Sequence, residues 1–252
     1  MLPLSPVRAC ALAAATGILL VSLSAAGGAA SAVPSEVPSA VRARLAPVTD
    51  KASLASHVDG EPFRGRRDVL EYLIDHPEFA TYVTRTLKVA RYRIWKVPGG
   101  FGIDDGWGVV GTFEVVYAAP GIRVMHAQGE YQQRLLPNIR GQAVVTISYA
   151  TTTASDGAST IATAVGSVVK LDSKLLAAAS RMASSAAHAK ADKEGKRLVK
   201  VFAKTTRAIE DDPLTLWRAL RAQPDVPRQE LEEFRRLLSL PAIAEPAASA
   251  QR

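Results

Sequence analysis

Cysteine is almost missing from this chain: Cys10 is the single thiol in 252 residues, and it lies inside an apolar N-terminal stretch. Everything downstream must therefore do without a disulfide framework, a thiolate metal site or a cysteine nucleophile. Histidine is scarce too. His57, His76, His126 and His188 are scattered without i, i+4 or close-carboxylate spacing, so no metal is expected. Neither G-x-S-x-G, nor a P-loop, nor G-x-G-x-x-G occurs, and no cofactor is expected. Ser167 and Lys170 match the S-x-x-K spacing of penicillin-recognising serine enzymes. That chemistry needs both on one helical turn, whereas here an alternating strand sends them to opposite faces. Asp104 and Asp105 lie between Gly102 and Gly106, which reads as a solvated hairpin tip rather than a calcium loop. No catalytic residue is assigned.

Long apolar runs are confined to the start. Arg8, the apolar stretch Ala11 to Leu23 and the small residues Ala30-Ser31-Ala32 have the order of a secretory signal, so residues 1–32 are expected to be removed and the protein to be exported, periplasmic or extracellular. The run is shorter than the roughly 20 residues of a spanning helix. Acidic residues are outnumbered, 24 against 31 Lys and Arg, giving a net charge of +7. The excess clusters at Arg64 to Arg67, Lys190 to Lys200 and Arg235-Arg236. Diffuse positivity of this kind suits an anionic membrane surface in peripheral contact better than nucleic acid, which is not expected as a partner. Its simplest reading is a solvated basic surface.

Residues 33–66 mix Pro34, Pro38, Pro47 and Gly60 with Ser and Ala, and read as a linker with one short helix around Val41 to Leu45. Two short helices follow, joined at His76-Pro77. Alternating segments then cover Arg91 to Val97, Gly106 to Ala118, Ile122 to Leu136, Gln142 to Thr153 and Ser159 to Leu171, with a hairpin signal at Asp156-Gly157. Their short connections predict an antiparallel meander of five or six strands. From Asp172 to Glu210 the period is helical, with an Ala-rich stripe through Leu175, Ala179, Met182 and Ala186; Gly195 and its polar neighbours predict a bend or break. Residues 213–252 read as an amphipathic extension, usable as an interaction module, and a disordered Pro/Ala tail.

Paired helices, a meander and a long C-terminal helix, with the strand text GEYQQRLLPNIRGQAVVTISY and GSVVKLDSKLLAAASRM, resemble the START-like, or SRPBCC, helix-grip superfamily over residues 67–212. The superfamily opens with a strand before its helices, a feature that the pattern of 33–66 does not supply. The resemblance implies an α+β helix-grip fold, a curved antiparallel sheet wrapped on the last helix, holding a lipid, sterol-like or isoprenoid molecule between them. Some members are cyclases or hydroxylase subunits, so a cyclase or hydratase in the same pocket is one alternative; its strand-borne acid/base candidates here are Glu114, Glu130 and His126. A half-barrel lipid carrier serving lipoproteins is another. The inward strand positions and the helix offer Trp107, Phe113, Val115, Tyr117, Met125, Tyr131, Val145, Ile147, Tyr149, Val165 and Met182 as ligand contacts, each of them equally able to be plain core. Glu130, Arg134 and Arg140 could hold a headgroup at the mouth or stand as cross-strand surface charges.

Overall fold

Residues rich in β-branched side chains dominate the two longest strands, and pairing between them sets the frame of the sheet. The computed structural model describes residues 33–132, 138–153, 159–171 and 180–241; for residues 139, 180–188 and 190 only the backbone is described. Eight strands form one antiparallel sheet: β1 (Leu54–Asp59), β2 (Phe63–Arg64), β3 (Arg93–Val97), β4 (Gly100–Asp104), β5 (Val109–Ala119), β6 (Ile122–Tyr131), β7 (Ile139–Thr153) and β8 (Ser159–Leu171). Their order is β1-β8-β7-β6-β5-β4-β3, with β2 also on β8. Six helices complete the described elements: α1 (Ser39–Thr49), α2 (Arg67–Asp75), α3 (Pro77–Thr86), α4 (Ser180–Asp211), α5 (Pro213–Arg221) and α6 (Arg228–Leu237). All belong to the compact unit Ser31–Arg252. The signal-like residues 1–32, the hairpin tip Asp156-Gly157 and the Pro/Ala tail beyond residue 241 lie outside the described residues.

Segment 33–66, expected as a linker, holds α1, β1 and β2. In β1 only Leu54 and Val58 are buried, and an edge strand needs no more than these to be fixed against one neighbour. The strand β4 is likewise additional. Its Gly-Phe-Gly-Ile text puts side chains on one face only, and the ring of Trp95 on β3 covers the other face at Gly102, where an added Cβ would meet it at 2.3 Å.

Cross-strand partners share a face, so the register sorts every side chain. One face carries Phe113, Ala127, Ala143 and Val169 in one row and Val115, Met125, Val145 and Ser167 in the next; the other carries Glu114, His126, Val144 and Val168. Gly111, Gly129 and Gly141 stand side by side across β5, β6 and β7 in a row of the first face. A Cβ at Gly129 would lie 2.5 Å from Val110 O and 2.9 Å from Gly111 Cα. The strands therefore crowd together on that side, which makes it the concave face, and the glycine row permits the bend.

Three apolar clusters hold the layers. On the concave face Val58, Phe63, Ile147, Tyr149, Ile161 and Val165 pack against Leu70 and Ile74 of α2 and Val199 of α4. On the convex face Leu45 and Val48 of α1 cover Ile122, Val124 and Val144. The third cluster is purely helical and joins α2, α3, α5, α6 and the end of α4 through Val69, Phe79, Ile209, Trp217, Leu220 and Phe234. Residues 213–240 are thus docked on the domain rather than appended to it. The predicted break at Gly195 does not occur, since α4 runs unbroken for 32 residues. An added Cβ at Gly195 would stand 2.9 Å from Val58 Cγ2, so the glycine serves the close approach of helix to β1. Among the described residues no helix is long and apolar enough to cross a membrane.

Candidate functional site

The concave face beyond the end of α2 is an apolar floor whose side chains are only half covered. Val115 is 38% exposed, Met125 and Val145 sit at the margin of the core, and the rings of Phe113 and Phe101 stack at 5.3 Å. Register brings Phe113, Val115, Met125 and Val145 together, as the alternation predicts. Tyr131 shares the face but lies past the glycine row, opposite Val109. Ile147, Tyr149 and Val165 are on the same face and buried beneath α2 and α4, where they are core. The side chain of Met182 lies outside the described residues, as does Arg134.

Two sequence expectations change place. In β5 the register slips between Val115 and Tyr117, so that Val115 opposes Met125 and Tyr117 opposes Val124. Val116 is the extra residue of a β-bulge, which inverts the alternation. Tyr117 therefore points to the convex side and packs with the α1 cluster. Trp107 precedes β5 in a turn whose Asp105 carboxylate accepts hydrogen bonds from the Trp107 and Val109 N–H groups. Its ring lies 3.8 Å beneath the Arg197 guanidinium of α4 and edge-on to Tyr92 at 5.8 Å. Burial, with Glu194 nearby, pushes the Tyr92 hydroxyl up to about 12.

Polar groups close one end of the apolar floor. Arg123, only 6% exposed, donates to Asp75 of α2 at 2.7 and 2.8 Å, to the carbonyls of Ala119 and Ile122, and to Tyr149 Oη at 3.0 Å. The Tyr149 hydroxyl donates in turn to Glu71 at 2.9 Å. Its hydroxyl is pushed up chiefly by burial, and Arg123 is held charged by the hydrogen bond to Asp75. The network fastens α2 to the sheet and leaves no free acid or base in it. Arg123 escaped sequence reasoning although a signal was present: it stands two residues before Met125, on the inward side of an alternating strand.

Glu130 and Arg140 face each other across β6 and β7 on the convex side, joined at 3.3 Å. They border a shallow depression of about 400 Å³ with Thr112, Gln128 and Gln142. This is the side away from the apolar floor. Glu114 and His126 are on that side as well, 3.4 Å apart, and Arg44 of α1 donates to the same Glu114 oxygen at 2.5 Å. The Arg44 hydrogen bond holds the Glu114 carboxyl below the usual carboxylate range, with His126 assisting. A depressed folded value means that the contribution is present above the unfolded pKa of about 4.3 and is lost as pH falls through the folded value. The protection of α1 amides, taken relative to their intrinsic exchange rate at each pH, is therefore expected to fall below about pH 4, and E114Q to remove that pH dependence. With the pair this exposed, its worth is under about 1 kcal/mol. An unchanged pH profile in E114Q would refute the assignment.

Among the described residues no group of three His, Cys, Asp or Glu side chains could hold a metal ion. A groove of about 630 Å³ runs beside α4, lined by Val89, Asp192, Lys193, Lys196, Arg197, Lys200 and Lys204 among others. No protein-family model and no curated protein matches the chain. Among solved structures, a conserved protein from Geobacillus kaustophilus is 15% identical over 63% of this chain and 96% of its own, with a TM-score of 0.39. A hypothetical protein from Helicobacter pylori is 8% identical over 62% of this chain and 88% of its own, with a TM-score of 0.37.

Proposed function

We propose that the chain is an exported helix-grip domain that binds, and carries, an apolar ligand such as a lipid, sterol-like or isoprenoid molecule on the concave face of its sheet. The observation that carries this reading is the half-covered apolar floor of Phe113, Val115, Met125 and Val145, with Val115 38% exposed. A filled core would hide such residues, whereas a ligand site keeps them reachable. The strand order, with β1 beside β8, two helices between β2 and β3, and a long helix after β8, supports the helix-grip layout. Export is supported by the order of residues 1–32.

The enzymatic alternative loses its acid/base candidates, because Glu114, His126 and Glu130 all stand on the convex side. Ligand uptake is tested by native mass spectrometry of protein recovered from the producing cell's envelope, followed by titration with fatty acids of increasing length. Affinity is expected to rise about fourfold per methylene while chains remain within the floor, from about 0.8 kcal/mol per buried CH₂. V115D, at a half-exposed position, is expected to keep the fold and to weaken binding at least tenfold, the cost of facing an apolar ligand with an unpaired carboxylate. No co-purifying lipid, no uptake, and indifference to V115D would together overturn the proposal.

A further inference from the structure

The basic groove of α4 belongs to neither the apolar floor nor the Arg123 network, and its lysines outnumber the acids beside them. Lys193, Lys196, Arg197, Lys200 and Lys204 line it from one helix face, at spacings of three and four residues. From Lys193 to Lys204 the row extends about 16 Å along the helix. Its four lysines are exposed, and none makes an ion pair among the described residues. Two acids stand among them: Asp192, also in the lining, accepts from Ser56 Oγ at 2.5 Å, and Glu194 accepts from Arg197, so the row keeps an excess of positive charge in its four lysines. Arg197 is in addition fixed on the Trp107 ring at 3.8 Å. Across the groove Val89 belongs to the connection between α3 and β3, where Lys88 and Arg91 are also exposed.

We infer that this face of α4 docks on an anionic lipid surface, independently of whatever the concave sheet face binds. Convergent donors around one buried point would suit a single small anion, but these cations are spread along an open row, which matches a plane of many phosphates. Val89, Ala189 and Val201 line the groove between the charges, and the Trp107–Tyr92 pair stands behind Arg197. The exposed part of this face is thus its basic row, with Val89 and Ala189 beside it, and it suits the headgroup layer of an anionic surface.

The test is sedimentation with phosphatidylcholine vesicles, with and without phosphatidylglycerol, at low and at near-physiological salt. It uses the full chain and, in parallel, the compact unit Ser31–Arg252, which carries all three apolar clusters but not the apolar N-terminal stretch. Binding is expected to require phosphatidylglycerol and to weaken with salt. The triple variant K193Q/K196Q/K200Q is expected to lose about hundredfold in affinity, near fivefold per lysine, with unchanged thermal unfolding, and K193R/K196R/K200R is expected to retain it. Binding that ignores phosphatidylglycerol, or that survives the glutamine substitutions, overturns the inference. So does release by inorganic phosphate at concentrations too low to screen charge, which would mark a small-anion site, and so does preferential capture by duplex DNA in competition with the vesicles.

Discussion

Replacing Phe234 with alanine is expected to cost about 3–5 kcal/mol of stability, the range for deleting a fully buried aromatic side chain. The ring of Phe234 has no solvent exposure and packs against Phe79 at 5.2 Å and Tyr72 at 5.8 Å. Leu231 on the same helix and Trp217 and Leu220 of α5 complete the cluster with Val69, Leu73 and Val83. Polar contacts repeat the attachment: Arg66 donates to the Leu237 carbonyl at 2.8 Å, and the Tyr72 hydroxyl donates to the Glu230 carbonyl at 2.8 Å. Truncation after Asp212 would strip α2 and α3 of their cover. It is expected to give a species that binds hydrophobic dyes and is rapidly proteolysed. Denaturant titration checks the substitution, with a lowered midpoint at constant slope as the expected signature. A truncated chain as stable as the whole would mean that α5 and α6 merely rest on the surface.

Residues 213–240, expected as an amphipathic extension, pack into the helical cluster, and the difference lies in what a sequence pattern conveys. Amphipathic spacing in Leu216, Leu220, Leu231 and Phe234 reveals that a face must be buried, but not against which partner. Within the sheet, two-residue alternation was sufficient for Met125, Val145, Ile147 and Val165, since a strand covered on one side has no other way to be stable. The junction of α2 and α3 was equally plain, because Pro77 occupies the first position of a new helix. Alternation alone puts Tyr117 on the concave face because nothing in Val115-Val116-Tyr117 marks a bulge; all three are good strand formers, and the slip is visible only against β6. At Gly195 low helix propensity predicts a break, and packing on Val58 overrides it. Glycine in Gly100 to Asp104 hid β4 for the same reason, since the neighbour that stabilises it, Trp95, lies on another strand.

Arg123 supplies the second large effect, and the form of its network determines which change hurts. R123M is expected to destabilise by about 3 kcal/mol, because the buried Ile122 carbonyl and Tyr149 hydroxyl and the part-buried Ala119 carbonyl lose their donor. D75N should cost less, about 1–2 kcal/mol. Its carboxylate is 44% exposed, and Arg123 keeps its other three acceptors when the charge is removed. The double variant D75N/R123M is expected to fall short of the sum by about 1 kcal/mol or more, the coupling of groups in direct contact. Because Arg123 reaches α2 only through Asp75 and the Tyr149–Glu71 link, the same substitution should loosen the helix that abuts the apolar floor. Faster amide exchange in α2 than in α3 of R123M would report that loosening. Additive effects of the two changes, or equal protection of both helices, would show that the guanidinium is simply buried there and does not fasten helix to sheet.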